Sequence, residues 1–236
     1  MSSVKAVEIR NLSFCYPDGK TALNDISFEL NPGERVAIMG GNGAGKSTLL
    51  MCLNGVLQGT GEILICGMPV VKKNYKPVRQ KVGLLFQNAD DQLFCPTVYD
   101  DVAFGLRNRG EREEVIRRKV AESLHAVGLD GFERRNAFHL SVGEKKRVAL
   151  ATALCMDVEV MALDEPTSSL DPRGKRELTD LLKRYSQAQM IATHDLRLAR
   201  ELCQRIIVLK DGRKIADAEA GKILNQKELI ASAGLE

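Results

Sequence analysis

One run of residues decides most of what this chain can become: Gly40-Gly41-Asn42-Gly43-Ala44-Gly45-Lys46-Ser47-Thr48. A short apolar stretch, Arg35–Met39, leads into it, and Leu49, Leu50 and Leu53 follow at helical spacing. The run fits G-x-x-x-x-G-K-[ST] set between a strand buried on both faces and a helix. A triphosphate is densely anionic. Backbone N–H groups surround it only where no Cβ intrudes, which is why Gly40, Gly43 and Gly45 recur. The following helix adds roughly half a unit of positive charge at its N-terminus. Lys46 is expected to reach the β- and γ-phosphates and Ser47 to place its hydroxyl on Mg²⁺. Asn42, Ala44 and Thr48 complete the expected nucleotide-binding stretch. The motif leaves the reaction open, because kinases, GTPases, recombinases and transport ATPases all use it.

Val158-Glu159-Val160-Met161-Ala162-Leu163 is a mostly apolar strand that ends in Asp164-Glu165. A strand end beside a phosphate loop is where a metal-directed Asp belongs. Asp164 is expected to hold Mg²⁺ through water, and Glu165 to orient or deprotonate an attacking water. Alone, an Asp-Glu pair reads as two solvated acids; downstream of Gly40–Thr48 the catalytic reading prevails. A GTPase would carry an Asn-Lys-x-Asp guanine reader, and the sequence has none.

The rest of the chain supplies the frame. Residues 7–16 and 22–30 alternate apolar and polar around Asp18-Gly19, which predicts an antiparallel hairpin with a bulge at Arg10-Asn11. Residues 62–66 and 82–86 read as further strands. From 88 to 156 charged helical segments take over, with Ile116, Val120, Leu124 and Val127 on one helical stripe. Strand texture resumes at 158–163, 189–193 and 205–209, and Asp211-Gly212 turns a last hairpin. The expectation is a single domain over 1–236, with an α/β core from 1–87 and 157–236 and a helical insertion at 88–156. The basic stretch Lys72–Lys81 reads as a solvated surface.

Ser141-Val142-Gly143-Glu144 opens a helical run from Lys145 to Cys155. Ser-x-x-Glu is itself a capping box, so Ser141 has a purely local role open to it. Yet Leu140–Glu144 resembles the Leu-Ser-Gly-Gly-Gln signature of the ATP-binding cassette (ABC) ATPases, and the resemblance covers essentially the whole chain. It implies a P-loop NTPase (RecA-like) α/β core with an N-terminal antiparallel β-subdomain and an inserted α-helical subdomain. It implies ATP and Mg²⁺ as cofactors, and a head-to-tail dimer, of identical or different ATPase subunits, in which Ser141, Val142, Gly143 and Glu144 face the γ-phosphate held by the other subunit. It carries over Tyr16 as the adenine-stacking aromatic, Gln87 as the loop glutamine at Mg²⁺ and the coupling interface, Ser168, Ser169, Leu170 and Asp171 as the loop crossing between subunits, and His194 as the γ-phosphate switch. Each alone reads as ordinary structure: a core tyrosine, a surface amide, a helix-capping imidazole. Val142 stands where the family has Gly, and Glu144 where it has Gln; the signature is expected to work but to close more weakly.

The segment Phe86-Gln87-Asn88-Ala89-Asp90-Asp91-Gln92-Leu93-Phe94, then Pro96–Gly105, is similar to the energy-coupling-factor importers, especially their cobalt and nickel branch. Lys145-Lys146-Arg147-Val148-Ala149 is similar to the same group. The resemblance implies a transmembrane coupling protein and a substrate-binding membrane subunit as partners, with the chain at the cytoplasmic face of the membrane. A vitamin importer is the alternative. Asp90-Asp91 alone reads as a solvated acidic turn.

Composition excludes other classes. Net charge is +3 from 34 basic and 31 acidic side chains, and Trp is absent, which argues against a nucleic-acid binder. A soluble cassette acting on DNA or ribosomes would be expected to carry a second cassette or a long coiled coil. A small-molecule kinase leaves the signature and His194 unexplained. The six Cys form no C-x-x-C pair; Cys52, Cys66 and Cys155 sit in apolar runs and read as buried thiols of a reducing compartment. The start, Met-Ser-Ser-Val-Lys-Ala-Val-Glu, has no apolar leader core, and no apolar stretch approaches the ~20 residues of a membrane span. The tail Ala218–Glu236 reads as a small docking or dimer-contact element.

Overall fold

The alternating N-terminal segments do pair. In the computed structural model, which describes residues 4–235, β1 (Val7–Cys15) and β2 (Thr21–Leu30) run antiparallel with Val7 opposite Leu30 and Ile9 opposite Phe28. The register slips between Ile9 and Leu12, where Asn11 takes φ 50°, so the bulge lies where the pattern broke. Residues 1–3 of the leader reading and Glu236 of the tail lie outside the described residues.

The elements that follow are β3 (Arg35–Met39), α1 (Lys46–Leu53), β4 (Thr60–Ile65), β5 (Met68–Pro69), α2 (Tyr75–Lys81), β6 (Val82–Leu85), α3 (Val98–Arg109), α4 (Glu113–Ala126) and α5 (Val142–Cys155). Then come β7 (Val160–Asp164), α6 (Pro172–Lys183), β8 (Ala188–Thr193), α7 (Leu196–Leu202), β9 (Arg205–Lys210), β10 (Arg213–Glu219), α8 (Ala220–Leu224) and α9 (Lys227–Ser232). Two sheets form: β2-β1-β4-β5, and β10-β9-β3-β8-β7-β6. In the second sheet β9, β3, β8 and β7 pair in parallel. Val36, Ala37, Ile38 and Met39 are fully buried, as a continuous apolar run predicts for a central parallel strand. Asp211 and Gly212 both take positive φ and close the β9–β10 hairpin.

The chain divides into two compact units, one holding residues up to Leu84, Glu159–Glu165 and Tyr185 onward, the other Leu85–Val158 and Pro166–Arg184. The first carries both sheets around a core that includes Leu23, Ile26, Ile38, Leu49, Leu50 and Met190. The second is helical. There Ile116, Val120 and Leu124 line the buried stripe of α4, and Gly110, at φ 79°, stops α3. Two surface expectations shift. Lys72, Lys73 and Lys76 are exposed, but the basic stretch is partly helical and pinned by buried Val78. Cys66 is only half-buried at a positive-φ turn, whereas Cys52 and Cys155 are buried. Among the described residues no helix is long and apolar enough to cross a membrane.

Candidate functional site

Strand order assembles the site. β8 lies between β3 and β7, and the parallel register sets Met39 opposite Thr193 and Asp164 opposite Ala192. The chain therefore leaves all three strands at the carboxyl edge, where open α/β sheets bind ligands. The glycine-rich loop leaves β3, Glu165 leaves β7, and His194 leaves β8.

The loop can exist only with its glycines. Gly40 has φ 156°, and a Cβ there would collide with the Leu209 carbonyl; at Gly45, φ 102°, it would collide with the Ala22 carbonyl. Lys46 begins α1 and is 7% exposed. Its Nζ donates to the carbonyls of Gly40 (2.7 Å) and Gly41 (3.1 Å), which engages two of the three donors of an ammonium. Burial pushes its pKa down, while Glu165 and Asp164 nearby pull it back up. Tyr16 sits at the same helix: its Oη and Thr48 Oγ1 share a hydrogen bond of 3.0 Å, and its ring packs edge-on to Phe14.

Glu165 is held by residues from the neighbouring strand end. It takes φ 43°, an unusual backbone for a non-glycine residue, and its N–H donates to the Ala192 carbonyl at 2.9 Å. Its Oε1 accepts from the backbone N–H of His194 at 3.1 Å and lies 2.7 Å from His194 Nδ1. Its Oε2 accepts from Thr193 Oγ1 at 3.2 Å. A carboxylate only accepts, so Nδ1 carries the proton in this pair. The Glu165 side chain is 8% exposed and the His194 side chain 63%. A nearly buried carboxylate is thus oriented by three donors, with an imidazole reaching from it into solvent.

The donor set suits Mg²⁺ with a triphosphate. Among the described residues no cluster of three or more His, Cys, Asp or Glu could cage a metal by itself. Mg²⁺ is usually bound by one or two protein oxygens, substrate phosphates and water. Ser47, in the first turn of α1, and Asp164, buried at the end of β7, supply such oxygens in the same unit as the loop.

The helical unit carries the remaining expected residues. Gln87 is exposed beyond β6. Ser141 caps α5 in a full capping box: Glu144 Oε2 accepts from the Ser141 N–H and hydroxyl, each at 2.8 Å, and the Glu144 N–H donates to Ser141 Oγ at 3.3 Å. These bonds hold the Glu144 carboxyl below its usual range, helped by Arg135 and Arg147. Val142 is half exposed at the helix tip. A Cβ at Gly143 would make only an ordinary contact with Leu170, so nothing within the chain requires glycine there. Ser169 takes φ 61°, Leu170 follows, and Asp171 caps α6 by accepting from the Gly174 N–H at 2.7 Å.

Several contributors escaped the sequence. Thr193 grips Glu165, yet a strand-end threonine has no signal of its own. Buried Lys146 donates to Ser168 Oγ at 3.0 Å, tying α5 to the 168–171 loop. Asp101 is buried, and its Oδ1 accepts from the N–H groups of Phe94 (3.0 Å) and Cys95 (2.9 Å), so it sets the turn that presents Phe94. Phe94 is 60% exposed and stacks edge-on with Phe104.

Comparison with known proteins shows the family and the fold. The family model described as "ABC transporter" matches residues 23–168. The energy-coupling factor transporter ATP-binding protein EcfA of Methanothermobacter thermautotrophicus is 47% identical over 235 residues, covering 97% of this chain and 76% of that protein. Among solved structures, cbiO1 from Clostridium perfringens, described as part of the ABC transporter complex cbiONQ, superposes with TM-score 0.84 at 37% identity over 98% of this chain and 95% of that one. The ATP-binding cassette MJ0796, solved as a dimer in a post-hydrolysis state with ADP and Pi, superposes with TM-score 0.82 at 29% identity over 91% of this chain and 98% of that one. By these matches this protein belongs to the ABC transporter family and is an ATP-binding, ATP-hydrolysing cassette.

Proposed function

We propose that this cassette powers an energy-coupling-factor type importer from the cytoplasmic face of the membrane, in an ATPase dimer that serves a transmembrane coupling protein and a substrate-binding membrane subunit. The observation that carries the catalytic half is the convergence of Lys46, Asp164, Glu165 and His194 at adjoining strand ends. The importer half is supported by the likeness of residues 86–105 to that group and by relatives named as energy-coupling factor ATPases. The cargo assigned is cobalt or nickel ion, on the same segment.

ATP lies along Gly40–Thr48, with its adenine against Tyr16. Ser47 and Asp164 would hold Mg²⁺, which neutralises phosphate charge. Glu165 orients a water and takes its proton as the oxygen attacks the γ-phosphorus in line. Lys46 and His194 stabilise the charge that develops. The signature of a second cassette, Ser141 to Glu144, closes over the γ-phosphate, with Ser169, Leu170 and Asp171 crossing between subunits. Half-exposed Val142 and a Gly143 that its own chain does not require fit a surface that another molecule approaches. Closure shuts water out and strengthens the charge interactions inside.

A path for transmission lies within the helical unit. Lys145 pairs with Asp90 at 2.6 Å, and Gln92 Nε2 donates to the Ala149 carbonyl and Thr152 Oγ1. Movement of α5 therefore pulls on the loop that presents Phe94. Isolation in mild detergent, followed by identification of the bound membrane proteins and a metal-uptake assay, tests the assignment. Recovery without membrane partners, or uptake of a vitamin in place of metal, contradicts it.

A further inference from the structure

Gly41 lies inside the glycine-rich loop and is bonded on both sides. Its carbonyl accepts from the Ala44 N–H at 3.2 Å and from Lys46 Nζ at 3.1 Å. Its N–H donates to the carbonyl of Ala233 at 2.8 Å. Ala233 follows α9, where the last carbonyls of a helix lack intrahelical partners. Gly234, at φ 69°, turns the chain back so that the Leu235 N–H reaches the Ile230 carbonyl at 3.1 Å. Ile230, Ala233 and Leu235 are all buried, so apolar contacts seat this segment. A Cβ on residue 41 would stand 3.3 Å from the Ala233 oxygen and 3.9 Å from Gly234 Cα, so the close approach favours glycine.

We infer that residues 227–235 form a strap that positions the phosphate loop through Gly41, and that this strap sets nucleotide affinity. Lys46 hangs from the carbonyls of residues 40 and 41; a tilt of the Gly41 peptide would move its ammonium. The inference rests on reading Gly40–Thr48 as the nucleotide site. It gives the tail a task at the loop of its own chain, in contrast to the docking or dimer-contact role expected from sequence.

The test is MgATP affinity in the full chain, in Gly41→Pro, in a chain ending at Gln226, and in the two changes combined, all in the Glu165→Gln background. Proline removes the N–H and presses a ring carbon against the Ala233 oxygen. Each single change is expected to raise Kd about three- to tenfold, the equivalent of one hydrogen bond, and the combination no further than either, because both break one contact. Faster amide exchange over residues 40–46 should accompany the loss. Should the shortened chain melt early without nucleotide, Leu235→Ser loosens the same strap and is expected to raise Kd in the same way. Unchanged affinity in the tail variants, or effects that multiply on combination, overturns the strap. Lys46→Ala, measured alongside, separates the failures: unchanged affinity there removes the phosphate-loop reading itself.

Discussion

The Glu165 carboxylate and the His194 imidazole form a pair, with Oε1 2.7 Å from Nδ1, and the same oxygen also receives the His194 backbone N–H. Main chain and side chain of one residue thus aim the carboxylate of another. Glu165→Gln keeps the shape and most of the hydrogen bonding but loses the base. ATP binding should survive while turnover falls about 10²- to 10⁴-fold, the usual worth of a general base. Single-turnover hydrolysis at saturating ATP measures this, and turnover near wild type would remove Glu165 from the chemistry.

Lys46 is buried and spends two of its donors on the carbonyls of Gly40 and Gly41, and the proposed site gives its third to phosphate. Lys46→Ala should weaken ATP binding by about 1.5–3 kcal/mol, the range for a hydrogen bond to a charged group. Equilibrium binding of ATP reads the change, and unchanged affinity would count against the role.

Glu144 spends its carboxylate on Ser141, both on its N–H and on its hydroxyl. If those bonds and the Val142 side chain weaken closure, Val142→Gly with Glu144→Gln should raise both ATPase turnover and ATP-dependent dimerisation. Identical values before and after would dismiss the weakened-signature idea.

The same contact has a pH signature. The Glu144 carboxyl titrates below its usual range, so its stabilisation of α5 is complete above the unfolded-state value and fades as pH falls through the lower folded-state value. The melting-temperature gap between wild type and Glu144→Gln should therefore shrink on acidification below the ordinary glutamate range. A gap independent of pH would mean that the box contributes little.

Phe94 and Asp91 are exposed on the loop wired to α5. Phe94→Ala or Asp91→Ala should uncouple transport while leaving basal ATPase activity unchanged. Loss of ATP binding in either variant would show that the loop supports the site itself.

The motifs that bear charge were legible because their chemistry restricts residue type. Gly40, Gly45 and Lys46 have few substitutes in a loop whose Cβ positions collide with carbonyls. The hairpin and central strands were legible because a period of two and a fully buried run are both simple patterns. Thr193, Lys146 and Asp101 were not, because their roles rest on register and on contacts between segments far apart in sequence. The Gly41–Ala233 bond joins residues far apart in sequence, and no local pattern announces it. The tail shows the same limit from the other side: α9 is a short helix, and the residue that meets the loop, Ala233, follows it.

The shared site is tested most directly by sedimentation of Glu165→Gln, with its ATPase partner if one accompanies it, with and without MgATP. Two cassettes should associate when ATP is present and separate when it is removed, and Ser141→Arg should abolish the association. A single-cassette species at saturating ATP, unaffected by the change at Ser141, would contradict the account.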